Sequence, residues 1–145
     1  MKIEIDTLSI EDMMEFSVFY SEAFQVESDV KLMESHFPNV HSNPDYLLLT
    51  ARVAGKIKGY VMAVVIRDFV GDTRPLMTLW SVCVHPDARR LGIGQSMLEY
   101  VERVAKKEDC EFISFITGQH RTSAHEFYRS MGYDLVRDKA GIKFL

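Results

Sequence analysis

The feature that most constrains this chain is the stretch at residues 85–95, His-Pro-Asp-Ala-Arg-Arg-Leu-Gly-Ile-Gly-Gln. It lies between an apolar segment at 76–84, typical of a central strand, and a segment at 95–107 with helical periodicity. Glycine lets backbone N–H groups approach an anion closely, and the first helical turn has unpaired donors and a positive dipole end. The two arginines add charge and forked donors. The stretch therefore predicts a phosphate-binding loop, with a diphosphate as its expected ligand.

Composition and charge narrow the class of protein. The 145 residues, 47% hydrophobic and 26% charged, suit a single globular domain over residues 1–145. A net charge of −4 argues against a broad nucleic-acid-binding surface. Neither a signal peptide nor an uncharged apolar run of the ~20 residues that span a membrane is evident. The two cysteines lie in apolar contexts, which favours free thiols and a cytoplasmic location.

Hydrophobic periodicity predicts an α+β fold with a mixed central sheet, about four helices and a parallel crossover around the glycine loop. The predicted strands span residues 1–7, 46–53, 57–67, 76–84, 112–117, 133–136 and 141–145. The predicted helices span residues 9–24, 29–37 and 95–107, and a fourth opens at 123–126. The last two strands are expected to close the sheet as a hairpin or pair.

Capping and turn residues set the expected ends of the helices. Ser9, with Asp12 three residues later, is predicted to cap the first helix. Pro38 is predicted to end the second helix, and residues 37–44 are expected to form a loop. A capping box at 123–126 is expected to open the fourth helix, and Gly132 to end it.

Two motifs together indicate a family. The first is Arg-Arg-Leu-Gly-Ile-Gly at residues 89–94, and the second is Ala-His-Glu-Phe-Tyr-Arg-Ser-Met-Gly-Tyr at residues 124–133. The first resembles the pyrophosphate loop of the GNAT superfamily of acyl-CoA-dependent N-acyltransferases, and the second resembles that family's later pattern of Ala, Tyr, Gly and an aromatic residue. The resemblance covers most of the chain. It implies a GNAT-like fold and an N-acetyltransferase that moves an acetyl group from acetyl-CoA to a primary amine.

The same resemblance implies where the cofactor binds. Backbone groups at the end of strand 76–84 would bond the pantetheine arm as an added strand does, and N–H groups of the glycine loop would surround the diphosphate. A dinucleotide-binding loop is the rival interpretation, but Met97 stands where that loop needs its third glycine. The predicted cofactor-binding residues are Val82, Cys83, Val84, Arg89, Arg90, Leu91, Gly92, Ile93, Gly94 and Gln95.

Acyl transfer from a thioester needs an acid for the departing thiolate and a base for the attacking amine. The resemblance puts Tyr128 at the family's tyrosine position, so Tyr128 is expected to assist the thiolate. His120 is the tentative base, since histidine has an intrinsic pKa near ~6.5, and Glu22 and Asp72 are alternatives. A backbone N–H near Val82 is expected to stabilise the oxyanion. These roles predict direct transfer without a covalent intermediate.

Two departures from the family pattern leave a second function open. Arg121 stands where members often have asparagine, and strand 76–84 lacks the glutamate that serves as base in some members. The alternative is an acyl-CoA-binding sensor or interaction domain with little catalysis. A metal site is not expected, because Arg129 occupies the position of the second histidine in His-Glu-x-x-His.

The acceptor is the least constrained partner. In this family the segment corresponding to residues 16–44 forms much of the acceptor wall. Glu22, Glu27 and Asp29 make it acidic, which suits a cationic small molecule or a lysine side chain. Trp80 is expected to lie in the core rather than to contact a ligand. The resemblance also admits a homodimer that completes the cleft, whereas nucleic acid and membrane are not expected partners.

Overall fold

A mixed β-sheet is the centre of the fold in a computed structural model, which describes all 145 residues. The strands are β1 (Ile3–Thr7), β2 (Tyr46–Val53), β3 (Lys56–Ile66), β4 (Leu76–Val84) and β5 (Ile113–Phe115). The helices are α1 (Met13–Phe24), α2 (Val30–His41), α3 (Ile93–Lys107) and α4 (Thr122–Ser130), with short 3-10 helices at Ile10–Asp12 and Pro86–Ala88. By contacts the chain divides into two compact units, Met1–Ser114 and Phe115–Leu145. No helix is both long and apolar enough to cross a membrane.

The five strands lie in the sheet in chain order, β1-β2-β3-β4-β5. The first four pair antiparallel with their neighbours. β5 runs parallel to β4: Glu111 N–H donates to Pro75 C=O at 2.8 Å, and Met77 N–H donates to Phe112 C=O at 3.0 Å. The residue numbers of the bonded partners increase in the same direction along both strands, so the strands are parallel. α3 is the crossover that joins them. The predicted α+β fold with its mixed sheet is confirmed.

α1 and α2 pack on one face of the sheet through aromatic side chains. Phe16 and Phe19 of α1 and Phe37 of α2 are buried in one cluster with Leu48 of β2 and Tyr60 of β3. The rings of Phe16 and Tyr60 meet edge to face, with centroids 4.7 Å apart. Such aromatic pairs contribute beyond the area that they bury, so this cluster fixes both helices to the sheet.

A partly buried ion-pair network joins α1 to the β2–β3 hairpin. Arg52 donates to Asp12 and to Glu15, each at 2.8 Å. The second oxygen of Glu15 accepts the N–H of Ile57 at 2.8 Å. Burial acts to raise the pKa of Glu15, but the hydrogen bonds from Ile57 and Arg52 outweigh it, and the pKa is lowered. The network therefore stabilises the fold only while Glu15 is ionised.

α3 packs against the other face of the sheet, closest at Gly59 of β3. A Cβ atom at Gly59 would lie 2.8 Å from Ile93 Cγ2 and 2.9 Å from Met97 Cε. Both side chains are almost fully buried, as is Val61, which faces the same side of β3. Only glycine therefore allows the first turns of α3 to approach the strand this closely.

The predicted end of the second helix is wrong. α2 continues through Pro38 to His41, so the predicted loop at 37–44 is largely helical. Proline removes one backbone donor and crowds the preceding turn. The following turn still forms, since Ser42 N–H donates to Pro38 C=O at 3.1 Å, and Phe37 and Val40 pack against the core. Burial of the apolar helix face outweighs the local penalty.

Two predictions for the last third of the chain are also wrong. α4 begins at Thr122, and no side chain caps its start, so the capping box at 123–126 does not form. The strand predicted at 112–117 is reduced to β5 and is not buried, because Phe112 and Ile116 are exposed. Gly132, with φ of 93°, does follow the end of α4 as predicted.

The two strands predicted at 133–136 and 141–145 do not form. The Asp134 carboxylate accepts the N–H groups of Val136 and Arg137 at 2.9 and 3.0 Å, which takes two donors that a strand ladder would need. Val136 and Phe144 are largely exposed, so these two apolar side chains gain little from a place in the sheet.

Gly59→Ala should lower the free energy of unfolding by about 1–3 kcal/mol, the usual effect of overpacking. The added methyl group would collide with the side chains of Ile93 and Met97, which would have to repack. Gly141→Ala is the matched control, because nothing lies within 4 Å of a Cβ atom there. Urea unfolding of both variants measures the difference, and equal midpoints would contradict the close approach.

The network around Glu15 predicts a pH dependence of stability. Because folding lowers the pKa of Glu15 below its ordinary 4.5, its contribution is complete above that pH and is lost as the pH falls through the lower, folded-state value. Glu15→Gln should therefore reduce the loss of unfolding free energy on acidification. Glu27→Gln, at an exposed position, is the control. If the wild type, Glu15→Gln and Glu27→Gln all lost the same free energy of unfolding on acidification, Glu15 would be excluded as a contributor.

Candidate active site

The segment between β4 and α3 has the geometry of an anion-binding loop. The chain leaves β4 through the 3-10 helix Pro86–Ala88 and then places Arg90 and Gly92 in the left-handed region, with φ of 62° and 81°. Left-handed residues alternating with ordinary ones turn successive N–H groups toward one concave side. Arginine adopts this conformation at a cost, and such strain is concentrated at functional sites.

The first turn of α3 supplies further donors to this loop. Gly92 precedes the helix, no side chain caps it, and the first helical hydrogen bond runs from Ser96 N–H to Gly92 C=O at 3.0 Å. The N–H groups of residues 93–95 therefore have no partner within the helix. Arg89 and Arg90 are exposed beside them. The predicted loop residues thus lie together as a cluster of backbone donors and positive charge.

The end of β4 extends beyond β5. β5 has three residues and β4 has nine, and Met77 and Thr78 of β4 make hydrogen bonds to the β5 segment. Because the pairing is parallel, the predicted pantetheine-binding residues 82–84 lie past the end of β5. Cys83 is buried, forms no disulfide and faces the α1–α2 side, and it pairs in register with Tyr60.

A β-bulge at Trp80 contradicts the prediction that this residue is in the core. In the register between β3 and β4, Leu79 lies opposite Ala63 and Ser81 lies opposite Met62, so Trp80 has no opposite residue. Its side chain is 75% exposed. The bulge reverses the alternation of β4: Leu79 faces α3, whereas Ser81 faces the α1–α2 side. Period-two alternation alone could not have revealed this extra residue.

A polar network that the sequence analysis missed surrounds the entrance of the loop. Nε2 of His85 lies 2.8 Å from Glu22 of α1, and Nδ1 lies 2.6 Å from Asp87. Lys58 of β3 donates to both oxygens of Asp87, at 2.9 and 3.2 Å, and chiefly lowers the pKa of that carboxyl. The network links α1, β3 and the loop. Its members are up to 63 residues apart, so no local sequence pattern identifies it.

Tyr128 lies in the unit Phe115–Leu145 and is buried within an aromatic cluster. Its ring centroid is 4.1 Å from that of Phe115 and 5.9 Å from that of Tyr133. Burial raises the pKa of Tyr128, partly offset by the charge of Arg121. The phenol is therefore protonated at neutral pH and can donate a proton.

The three candidate bases occupy different environments. His120, in the same unit as Tyr128, is exposed, and its ring lies beside Gly118. Asp72 is exposed in the connection between β3 and β4. Glu22 is the only one with a defined polar partner, His85. The structure thus distinguishes their surroundings without selecting one of them.

The acidic residues of the first two helices have local roles. Glu22 contacts His85, and Asp29 caps α2 by accepting the N–H groups of Lys31 and Leu32 at 3.0 and 3.1 Å. Glu27 is exposed on the connection between α1 and α2. No group of three or more histidine, cysteine or acidic side chains is arranged to hold a metal ion.

Comparisons with known structures identify the fold. A putative acetyltransferase from Agrobacterium tumefaciens superimposes with a TM-score of 0.85 at 18% identity, covering 98% of this chain and 99% of the other. The aminoglycoside acetyltransferase AAC(6')-Iy, solved with the bisubstrate analogue CoA-S-monomethyl-acetylneamine, gives 0.83 at 14% identity, covering 100% and 99%. At these identities the likeness establishes the fold.

Sequence comparison identifies the family. The catalytic subunit naa20 of the N-terminal acetyltransferase B complex of Schizosaccharomyces pombe is 31% identical over 61 residues, 42% of this chain and 34% of naa20. The chain matches about a third or less of the length of its curated relatives. The model of the acetyltransferase (GNAT) family matches residues 11–133. With the loop and the sheet described above, this match shows that the chain belongs to the GNAT family.

Proposed function

We propose that this protein is an N-acetyltransferase that transfers the acetyl group of acetyl-CoA directly to a primary amine. The observation that carries the proposal is the loop before α3, where left-handed residues, free helix N–H groups and two exposed arginines converge. A diphosphate carries the charge and the acceptor oxygens that such a cluster binds. Family membership makes acetyl-CoA the expected source of that diphosphate. Neither cysteine forms a disulfide, which favours a reducing, cytoplasmic location.

The end of β4 is proposed to bind the pantetheine arm. Val82, Cys83 and Val84 lie past the end of β5, so their backbone groups on that edge can pair with the amides of an extended ligand. The loop residues Arg89–Gln95 follow after one short turn. The order of sites along the chain then matches the order of groups along coenzyme A, from thioester to diphosphate.

The proposed reaction is a single displacement through a tetrahedral intermediate. The neutral amine attacks the thioester carbonyl carbon, and a backbone N–H near Val82 stabilises the oxyanion. The C–S bond then breaks, and the departing thiolate takes the phenolic proton of Tyr128, whose raised pKa keeps that proton in place at neutral pH. His120 accepts the amine proton, directly or through water. The products are the acetylated amine and free coenzyme A.

A second candidate, an acyl-CoA-binding sensor with little catalysis, is favoured by one observation. β4 carries no carboxylate, and Glu22 is already hydrogen-bonded to His85. Release of thiol in the presence of an amine panel separates the two functions, because a sensor would bind acetyl-CoA without turnover.

Calorimetric titration with acetyl-CoA tests the cofactor site. The double variant Arg89→Ala/Gly92→Glu should weaken binding about 10- to 100-fold, since a hydrogen bond to a charged group contributes about 1.5–3 kcal/mol and the new carboxylate repels phosphate. Arg103→Ala is the matched control, an exposed arginine about 15 Å along α3 from its first residue. Absence of binding by the folded wild-type protein would refute the acetyltransferase proposal.

Tyr128→Phe tests the proposed acid. The phenylalanine keeps the aromatic packing and loses the proton, so kcat should fall by up to about 10²-fold while the Kd for acetyl-CoA is unchanged. Phe127→Leu, in the same helix, controls for altered packing. Because burial raises the pKa of Tyr128, the wild-type rate should show no alkaline loss from this group below pH 10. An unchanged kcat in Tyr128→Phe would assign the proton to another donor.

A further inference from the structure

An apolar cavity of about 140 Å³, open to solvent on one side, lies between α1, α2 and the β2–β3 hairpin. An engineered protein cavity of about 150 Å³ with a similarly apolar wall binds benzene, so this volume suits a six-membered ring or a branched aliphatic group. The residues that form most of its wall are Met13, Met33, Phe37, Leu48, Tyr60 and Met62.

The cavity wall carries no acidic or lysine side chain. His36, exposed at the surface of α2, is its only basic residue. Glu22, Glu27 and Asp29, which suggested a cationic acceptor from the sequence, do not line it. Moving an ammonium group from water to such a wall is costly, whereas an uncharged apolar group gains about 25 cal/mol per Å² buried.

One polar group does face the cavity. Tyr60 is only 8% exposed and lines the cavity. Burial, together with Tyr20, raises the pKa of this phenol, so it remains neutral. Its position indicates that a ligand can accept or donate one hydrogen bond here.

The cavity lies next to the strand that we assign to pantetheine. Tyr60 and Met62 of its wall stand directly opposite Cys83 and Ser81 of β4. Neighbouring strands are about 4.8 Å apart, and the bulge at Trp80 turns Ser81 toward this same face. A group seated in the cavity is therefore close to the proposed position of the thioester.

From these observations we infer that the cavity binds the apolar substituent of the acceptor. The substrate class is a primary amine with an uncharged aromatic or branched aliphatic group of about the size of benzene, rather than a polycation. This inference rests on the proposed acetyltransferase function for its chemistry, but the binding of the apolar group can be measured without turnover.

Methyl NMR of the wild-type protein, labelled with ¹³C at its methionine methyl groups, tests binding directly. Three of the eight methionines, Met13, Met33 and Met62, line the cavity, whereas Met77 of β4 and Met97 of α3 lie on the other side of the sheet. Titration with 2-phenylethylamine should shift the first three resonances and leave the other two unchanged. Spermidine should shift none of them.

Kinetics with the same amines test the link to catalysis. Met33→Trp places an indole in the cavity and should raise the KM for 2-phenylethylamine at least about tenfold, with the KM for acetyl-CoA unchanged. Leu32→Trp is the matched control, because Leu32 is the neighbouring residue of α2 but is exposed and does not line the cavity. Tyr60→Phe should keep the apolar contacts of the ring and lose only the hydrogen bond between the Tyr60 hydroxyl and the bound amine.

Two results would overturn the inference. One is the absence of shifts at Met13, Met33 and Met62 with millimolar 2-phenylethylamine, and the other is an equal response to spermidine. Failure of the proposed function looks different: the three methyl groups would respond to 2-phenylethylamine, but acetyl-CoA would not bind. That outcome would support a binding site for an apolar amine and would contradict the proposed acetyl transfer.

Discussion

The close approach of α3 to β3 at Gly59 is the constraint on which the candidate site depends. Ile93, the first residue of α3, lies against this glycine, and Val84, the last residue of β4, lies opposite it in the ladder. One residue therefore positions both ends of the loop that joins β4 to α3. With its ends fixed, that loop can hold Arg90 in a left-handed conformation that an unconstrained arginine would seldom adopt.

The bulge at Trp80 changes which residues of β4 face each layer of helices. A regular strand keeps its odd-numbered and even-numbered residues on opposite faces along its whole length. The extra residue changes the face partway along the strand, so Leu79 packs toward α3 and Cys83 toward the α1–α2 side. The change falls just before residues 82–84, which agrees with the tendency of bulges to lie beside functional sites.

Features that depend on local patterns could be predicted from the sequence, and features that depend on distant contacts could not. The glycine loop, the β2–β3 hairpin and the crossover helix follow from turn residues and periodicity. The continuation of α2 past Pro38 depends on burial of Phe37 against other elements. The same is true of the network around His85, whose partners come from α1 and from the loop itself. The strand predicted at 133–136 did not form, because the Asp134 carboxylate accepts the N–H groups of Val136 and Arg137.

The acidic residues show why counting charges misleads about the acceptor. Asp29 caps a helix, Glu22 contacts His85, and Glu15 pairs with Arg52, so these carboxylates already have partners within the fold. An acceptor in the cavity would meet methionine, leucine and aromatic side chains instead. Loss of water around an amine lowers its pKa, because the charged form is the one that solvent stabilises most. An amine held at the edge of this apolar cavity would therefore be shifted toward its neutral, nucleophilic form, with less need for a carboxylate base on β4.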